Sequence, residues 1–158
     1  MKDWGPTFLR LAMGGVMIAH GAQKLFGVWG GPGLSGTADL IAALGIPAPF
    51  LVAVLVAIVE TAGGALLVVG AYTIWVAIAL IIELGVGIWK VHFAHGFFIN
   101  WTLTPGVGHG YEYNLVLITG LLCLIFTGAG RLSMDYSREK AAEEEAAGRA
   151  RLRAKVNQ

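Results

Sequence analysis

FLVAVLVAIVETAGGALLVVGAYTIWVAIALIIELGVGIWKV, residues 50–91, decides the fold. It holds two apolar segments, Phe50 to Val69 and Tyr72 to Val91, separated only by Gly70 and Ala71. Each has about the 20 residues that a helix needs to cross a hydrocarbon layer roughly 30 Å thick. A two-residue connection makes them a tight antiparallel hairpin. Each also carries one acid, Glu60 or Glu83, deep in an apolar run.

Working outward, Thr7 to Phe26 and Tyr113 to Gly130 have similar character. The sequence therefore predicts an all-α fold, a four-transmembrane-helix bundle. The 158 residues are 56% hydrophobic and 13% charged, with mean hydropathy +0.71; an ordinary soluble domain has about 25% charged residues. Of the 21 charged residues, 12 lie in Arg131 to Gln158 and seven between Trp4 and Gly130. That distribution argues against a soluble enzyme, and against a nucleic-acid binder, whose charge would form a basic face. The single cysteine, Cys123, excludes an intrachain disulfide, a CxxC redox pair and a cysteine zinc site within one chain, and is expected as a small core residue.

An even number of spans puts both termini on one side. Lys2, Arg131, Arg138, Lys140, Arg149, Arg151, Arg153 and Lys155 flank those termini, so the positive-inside rule predicts cytoplasmic N and C termini in a multi-pass membrane protein. Segments 27–49 and 92–112 then face outward. Trp4, Phe8, Tyr72, Trp75, Phe126 and Tyr136 mark one interface, and Phe26, Trp29, Phe50, Trp89, Phe93 and Trp101 the other. A cleaved signal peptide is disfavoured by the length of the first apolar stretch and by Arg10, His20 and Lys24 within it.

Between the first two spans, Gly27 to Pro49 opens with GVWGGPGLSG. Ser35 or Thr37 is placed to cap a short interfacial or re-entrant helix bearing Leu40, Ile41 and Leu44, with Gly45 closing it. The expected domain layout is a membrane domain over residues 1–136 and a charged cytoplasmic helical tail over 137–158. In that tail Glu145 and Arg149 form an i,i+4 pair, and Arg149 to Lys155 suit anionic lipid or a partner subunit.

Two glycine runs do not make nucleotide sites: GVWGGPG lacks the Lys-Ser/Thr of a phosphate loop, and GVGHG at 106–110 follows no strand. His92, His95, His109 and Glu112 have the spacing HxxH…HxxE, which is not a specific metal signature. They read as interfacial groups, with no metal site predicted.

The informative residues are those a bilayer penalises: Arg10, His20, Lys24, Glu60, Glu83 and Lys90. Such groups face a bundle interior, pair, or stay neutral. Arg10 is expected to snorkel to the surface. At 1.5 Å per residue, Glu60 and Glu83 lie roughly 15 and 16 Å into their spans, both near midplane; facing each other, they would share a proton. His20 and Lys24 share a helix face, as do Glu83 and Lys90. With His92 and Glu112 they outline a polar site above the two acids. Gly15, Ala19, Gly63, Gly64, Gly85 and Gly87 are small enough for close helix contact.

These residues also sit in recognisable strings. GVMIAHGAQKLFG, GLSGTADLIAALGIPAPF, VETAGGALLVVG, KVHFAHGFF, GYEYN and GAGRLSMD, taken in order, resemble the DoxX family of small four-helix membrane proteins over about residues 5 to 136. The resemblance implies a bacterial or archaeal inner-membrane protein of an oxidoreductase system. Some relatives are membrane subunits of thiosulfate:quinone oxidoreductase and others associate with redox-protective partners. Its positions fall on His20, Gly21, Lys24, Glu60, His92, Gly96, Phe97, Glu112, Arg131, Ser133 and Asp135. Glu83, His95, His109 and the charged tail depart from its pattern.

The expected function is a membrane subunit that holds a quinone or couples a redox partner to the membrane. His20, Glu60 and Glu83 are the candidate proton-handling catalytic residues, with Lys24, Trp89, His92, Phe97 and Glu112 lining the ligand site and Trp89 and Phe97 as aromatic walls. No haem, flavin or cluster motif is present and no covalently bound cofactor is expected, so electrons would come from another subunit or a soluble redox partner. The lipid bilayer and a second copy of the chain are further expected partners; nucleic acid is not. A non-enzymatic scaffold or assembly subunit, or a small proton-linked carrier, is the alternative.

Overall fold

The computed structural model describes residues 4–156, so Lys2 lies outside the described residues. Six α-helices follow one another: α1 (Trp4–Phe26), α2 (Gly33–Ala43), α3 (Pro49–Val69), α4 (Thr73–Gly87), α5 (Glu112–Thr127) and α6 (Met134–Val156). Their ends follow backbone chemistry. Gly27 and Gly70 take left-handed conformations past α1 and α3 (φ 68° and 66°), where a residue without Cβ is least strained. Pro49 occupies the first turn of α3, where its missing N–H costs nothing. Beyond α4 the helix widens through a π turn at Ile88–His92 and tightens into a 3-10 turn at Phe93–His95.

Helices α1, α3, α4 and α5 pack in a closed ring, α1 on α3, α3 on α4, α4 on α5 and α5 back on α1. Met13, Met17, Leu67, Leu80, Leu121 and Leu124 fill its centre. Helices α1 and α3 touch closely at Gly14 and Gly64, where a Cβ on either would lie 2.6–2.7 Å from the other's carbonyl oxygen, and again at Gly21, where a Cβ would lie 2.6 Å from the Thr61 backbone nitrogen. Of the small residues expected at helix contacts, Gly64 is at this crossing, whereas Gly15 and Gly85 face open space.

The expectation of four membrane-spanning helices is overturned. Among the described residues two helices are long and apolar enough to cross a membrane, Pro49–Val69 and the continuous rod Thr73–His95. Helix α1 has the length, 23 residues, but Arg10, His20, Gln23, Lys24 and its glycines dilute its hydropathy. Helix α5, at 16 residues, spans roughly 24 Å at 1.5 Å per residue, short of the hydrocarbon layer. Only 33% and 22% of the apolar windows of the two qualifying helices are buried in the protein. Their exposed faces, Leu51, Leu55 and Ile58 on α3 and Ile74, Ile78 and Ile82 on α4, are the surface that lipid covers in a membrane-associated protein.

Helix α2 forms where a short helix is expected, but starts at Gly33. It buries Ala38 and Ile41 against Ala53 of α3; the buried Thr37 donates from Oγ1 back to the Gly33 carbonyl at 2.7 Å and does not cap the start. Helix α6 is exposed along its charged length, with Arg149 paired to Glu145. Cys123 is exposed on α5, not in the core.

Arg10 does not snorkel. It is 2% exposed, and its guanidinium donates to the carbonyls of Ala129 (2.9 Å), Leu67 (3.2 Å), Leu132 (2.7 Å), Arg131 (3.4 Å) and Val68. It thus meets the orphan carbonyls at the end of α3 and those of the 128–133 turn together. Asp135 completes this knot by accepting from the N–H groups of Tyr72 (3.0 Å) and Thr73 (2.8 Å) at the start of α4, while its own N–H donates to the Gly70 carbonyl at 2.9 Å. Ser133 Oγ accepts from Tyr136 N at 3.1 Å, as an N-cap of α6 does.

Candidate functional site

At the opposite end of the ring a cavity of about 370 Å³ opens between α1, α3, α4 and α5. That volume falls among small-molecule pockets, about 300–1,000 Å³. His20 and Lys24, one helical turn apart on α1, project into it, and Glu60 of α3 meets them. The Lys24 ammonium donates to Glu60 Oε2 as an ion pair, with the Glu60 side chain 6% exposed and that of Lys24 25%. Burial of a carboxylate to that degree requires such a partner. Met17, Leu84 and Leu117 supply apolar wall, and Tyr113 and Asn114 line the α5 side. The His20 and Tyr113 rings lie 6.2 Å apart.

Glu83 of α4 stands near Glu60 and within electrostatic reach of the Lys24 charge. Its Oε2 is buried without a hydrogen-bond partner. Two carboxyls therefore stand beside one ammonium at the edge of the cavity.

The segment after α4 covers the cavity. Gly96, Phe97 and Phe98 accept through their carbonyls from the N–H groups of Tyr111 (3.2 Å), Glu112 (2.9 Å) and Gly110 (3.0 Å). Glu112 Oε1 accepts from Ile99 N at 2.8 Å. His109 Nδ1 accepts from Asn100 N at 3.1 Å, and His92 Nδ1 is 2.8 Å from the His109 carbonyl oxygen. Ile99, His109 and Gly110 thereby become the roof.

The sequence profile of the DoxX family matches residues 5–93, more than half of the chain. The chain belongs to the DoxX family. No curated protein and no solved structure matches it.

Within this DoxX protein, the structure gathers His20, Lys24, Glu60 and His92 on one cavity, with Glu83 one layer behind. Glu112 ties down the roof. Trp89 and Phe97, expected as walls, lie outside the cavity: Trp89 is exposed with the Lys90 ammonium 4.2 Å from its ring centroid, and Phe97 packs edge-on against Phe98 and Tyr111. Trp89 continues the exposed face of Ile82 and Val86 at helical spacing, which turns it away from the cavity. Among the described residues no group of three or more His, Cys, Asp or Glu is arranged to hold a metal. Arg131, Ser133 and Asp135 belong to the knot around Arg10, far along the fold from the cavity.

Asn114 and Tyr113 were absent from the expected site. Their signal was available: Asn114 is an amide near the start of an otherwise apolar helix, three residues before Leu117 on the same face. Met17 shares its α1 face with His20 and Lys24 by the same spacing.

Proposed function

We propose that this DoxX protein is the membrane subunit of an oxidoreductase system and that the cavity between His20, Lys24, Glu60 and Asn114 receives the head group of a quinone. The observation that carries this reading is a buried Lys24–Glu60 pair opening on an apolar-walled cavity. A quinone head group is a flat ring with two carbonyl acceptors. Lys24, His20 and Asn114 supply hydrogen-bond donors, while Met17, Leu84 and Leu117 supply apolar contact, so the residues present fit the group. When bound, it supplies an acceptor for two electrons, delivered by a partner protein, and two protons.

The chain's own residues then have separable tasks. Lys24 holds a positive charge where negative charge would develop on the ligand, at a site screened from water by the 96–112 roof. Glu60 fixes the Lys24 ammonium and exchanges protons with the cavity. Glu83 stores a proton behind Glu60, and His20 offers a second proton-exchanging group within electrostatic reach of both Lys24 and Glu60. The positively flanked termini favour placement of both ends in the cytoplasm of a prokaryote, with the cavity toward the outer leaflet.

The test is purification of the protein with its associated subunits in mild detergent, followed by quinone extraction and quinone-linked turnover. Glu60→Gln and His20→Ala should abolish turnover while leaving subunit assembly intact. Loss of assembly with either change would favour a scaffold, and loss of proton-dependent uptake in liposomes a carrier.

A further inference from the structure

The roof over the cavity has an unusual surface. Residues 91–111, VHFAHGFFINWTLTPGVGHGY, contain no Asp, Glu, Lys or Arg. Phe93, Phe97, Phe98, Trp101, Leu103 and Val107 are all exposed, Trp101 at 78%. An aqueous loop with that many uncovered large apolar side chains would be a liability.

This surface also continues another. Along α4 and its extension, Trp75, Ile78, Ile82, Val86, Trp89 and Phe93 are exposed and recur at intervals of three and four residues, which makes one stripe. The stripe belongs to one of the two helices fit to cross a membrane, and it runs without a break into the roof. Many of the backbone polar groups in the roof are met internally. Asn100 Nδ2 donates to the carbonyls of Thr104 (3.0 Å) and Val107 (2.9 Å), Asn100 Oδ1 accepts from Thr104 N (3.1 Å), and the Gly96–Phe98 strip pairs with Gly110–Glu112. Irregular backbone tolerates a membrane environment only when it is satisfied in this way. Trp101 and Tyr111 are of the amphipathic aromatic type that gathers at the boundary between headgroups and acyl chains.

We propose that the segment from Phe93 to Val107 is immersed in that boundary layer, so that the roof of the cavity is a lipid-embedded cap and not an aqueous loop. The occupant of this surface is the bilayer itself, argued from its continuity with the exposed stripe of α4 and from its lack of charge. This holds whatever ligand the cavity takes.

The test uses the full chain reconstituted in phosphatidylcholine vesicles. In a Cys123→Ser background, nitroxide labels are attached at Phe98→Cys, Trp101→Cys and Leu103→Cys, with Ile58→Cys on α3 as a lipid-facing control and Arg149→Cys on α6 as a water-facing one. Collision rates with oxygen and with a water-soluble nickel chelate are measured. The expected result is an oxygen-to-nickel ratio at the three cap positions several-fold above that at position 149 and below that at position 58, which lies at the middle of its span. A ratio equal to that at position 149 would overturn the proposal, and so would low accessibility to both reagents, which would mean that protein covers the cap. If a labelled variant fails to fold, quenching of tryptophan fluorescence by brominated lipid, compared between the unlabelled chain and Trp101→Phe, decides the matter. A Trp101 contribution quenched by the lipid supports immersion, and one quenched only by aqueous iodide refutes it.

Discussion

Replacing Lys24 by methionine removes the only cation that pairs with Glu60 among the described residues. The Glu60 side chain is 6% exposed, and the neighbouring Glu83 supplies no counter-charge. Breaking a buried pair by deleting one partner costs about 3–5 kcal/mol. With a quarter of Lys24 exposed, the cost of Lys24→Met should lie at the lower end, about 3 kcal/mol. Glu60→Leu should cost less, about 1–2 kcal/mol, because the freed ammonium can turn to the wetter cavity mouth. Lys24→Met combined with Glu60→Leu removes both charges and should return to within about 1 kcal/mol of the parent. Unfolding by titration with sodium dodecyl sulfate, followed by circular dichroism, gives the four free energies of the cycle. Additive losses, with the double variant the least stable of the four, would refute the pairing and the account of why a carboxyl can be buried there.

Three further outcomes follow from the packing. Arg10→Met leaves five carbonyls without their shared donor and should destabilise by at least about 3 kcal/mol in the same titration. Gly64→Val forces α1 from α3, since even a Cβ would lie 2.7 Å from the Gly14 carbonyl oxygen, and should cost about 3 kcal/mol; Gly85→Ala meets nothing within 4 Å and should be neutral or stabilising by up to about 1 kcal/mol. Asp135→Ala removes the acceptor for the Tyr72 and Thr73 N–H groups, which should cost about 1 kcal/mol and speed amide exchange at the start of α4.

The hairpin of α3 and α4 was legible because an apolar run of span length with two glycine-bounded ends has few other solutions. Helix α1 was legible as a helix, but its reading as a span fails because Arg10, His20 and Lys24 lower its hydropathy and serve the bundle interior. Arg10 shows the difficulty most clearly. Its partners are backbone carbonyls more than 50 residues away, and carbonyls leave no mark in a sequence. Glu60 with Lys24 could be expected from the cost of burying either alone, although their pairing depends on the crossing of α1 and α3. Trp89 is an aromatic of the right kind on the wrong face of its helix, in register with the exposed Ile82 and Val86, and Asn114 carries no charge to mark it although a buried amide is an equally good donor. The cap of 96–112 is held by main-chain pairing without regular strands, a pattern that neither period two nor period 3.6 reveals.

The central claim is that the cavity beside Lys24 and Glu60 takes a quinone head group. Photoaffinity labelling of the reconstituted protein with an azido-quinone, mapped by mass spectrometry, tests it directly. The account predicts label on cavity residues such as Met17, Tyr113 and Leu117, reduced by excess unlabelled quinone and by Lys24→Met. Label confined to the exposed stripe of α4 and unaffected by competitor would contradict it.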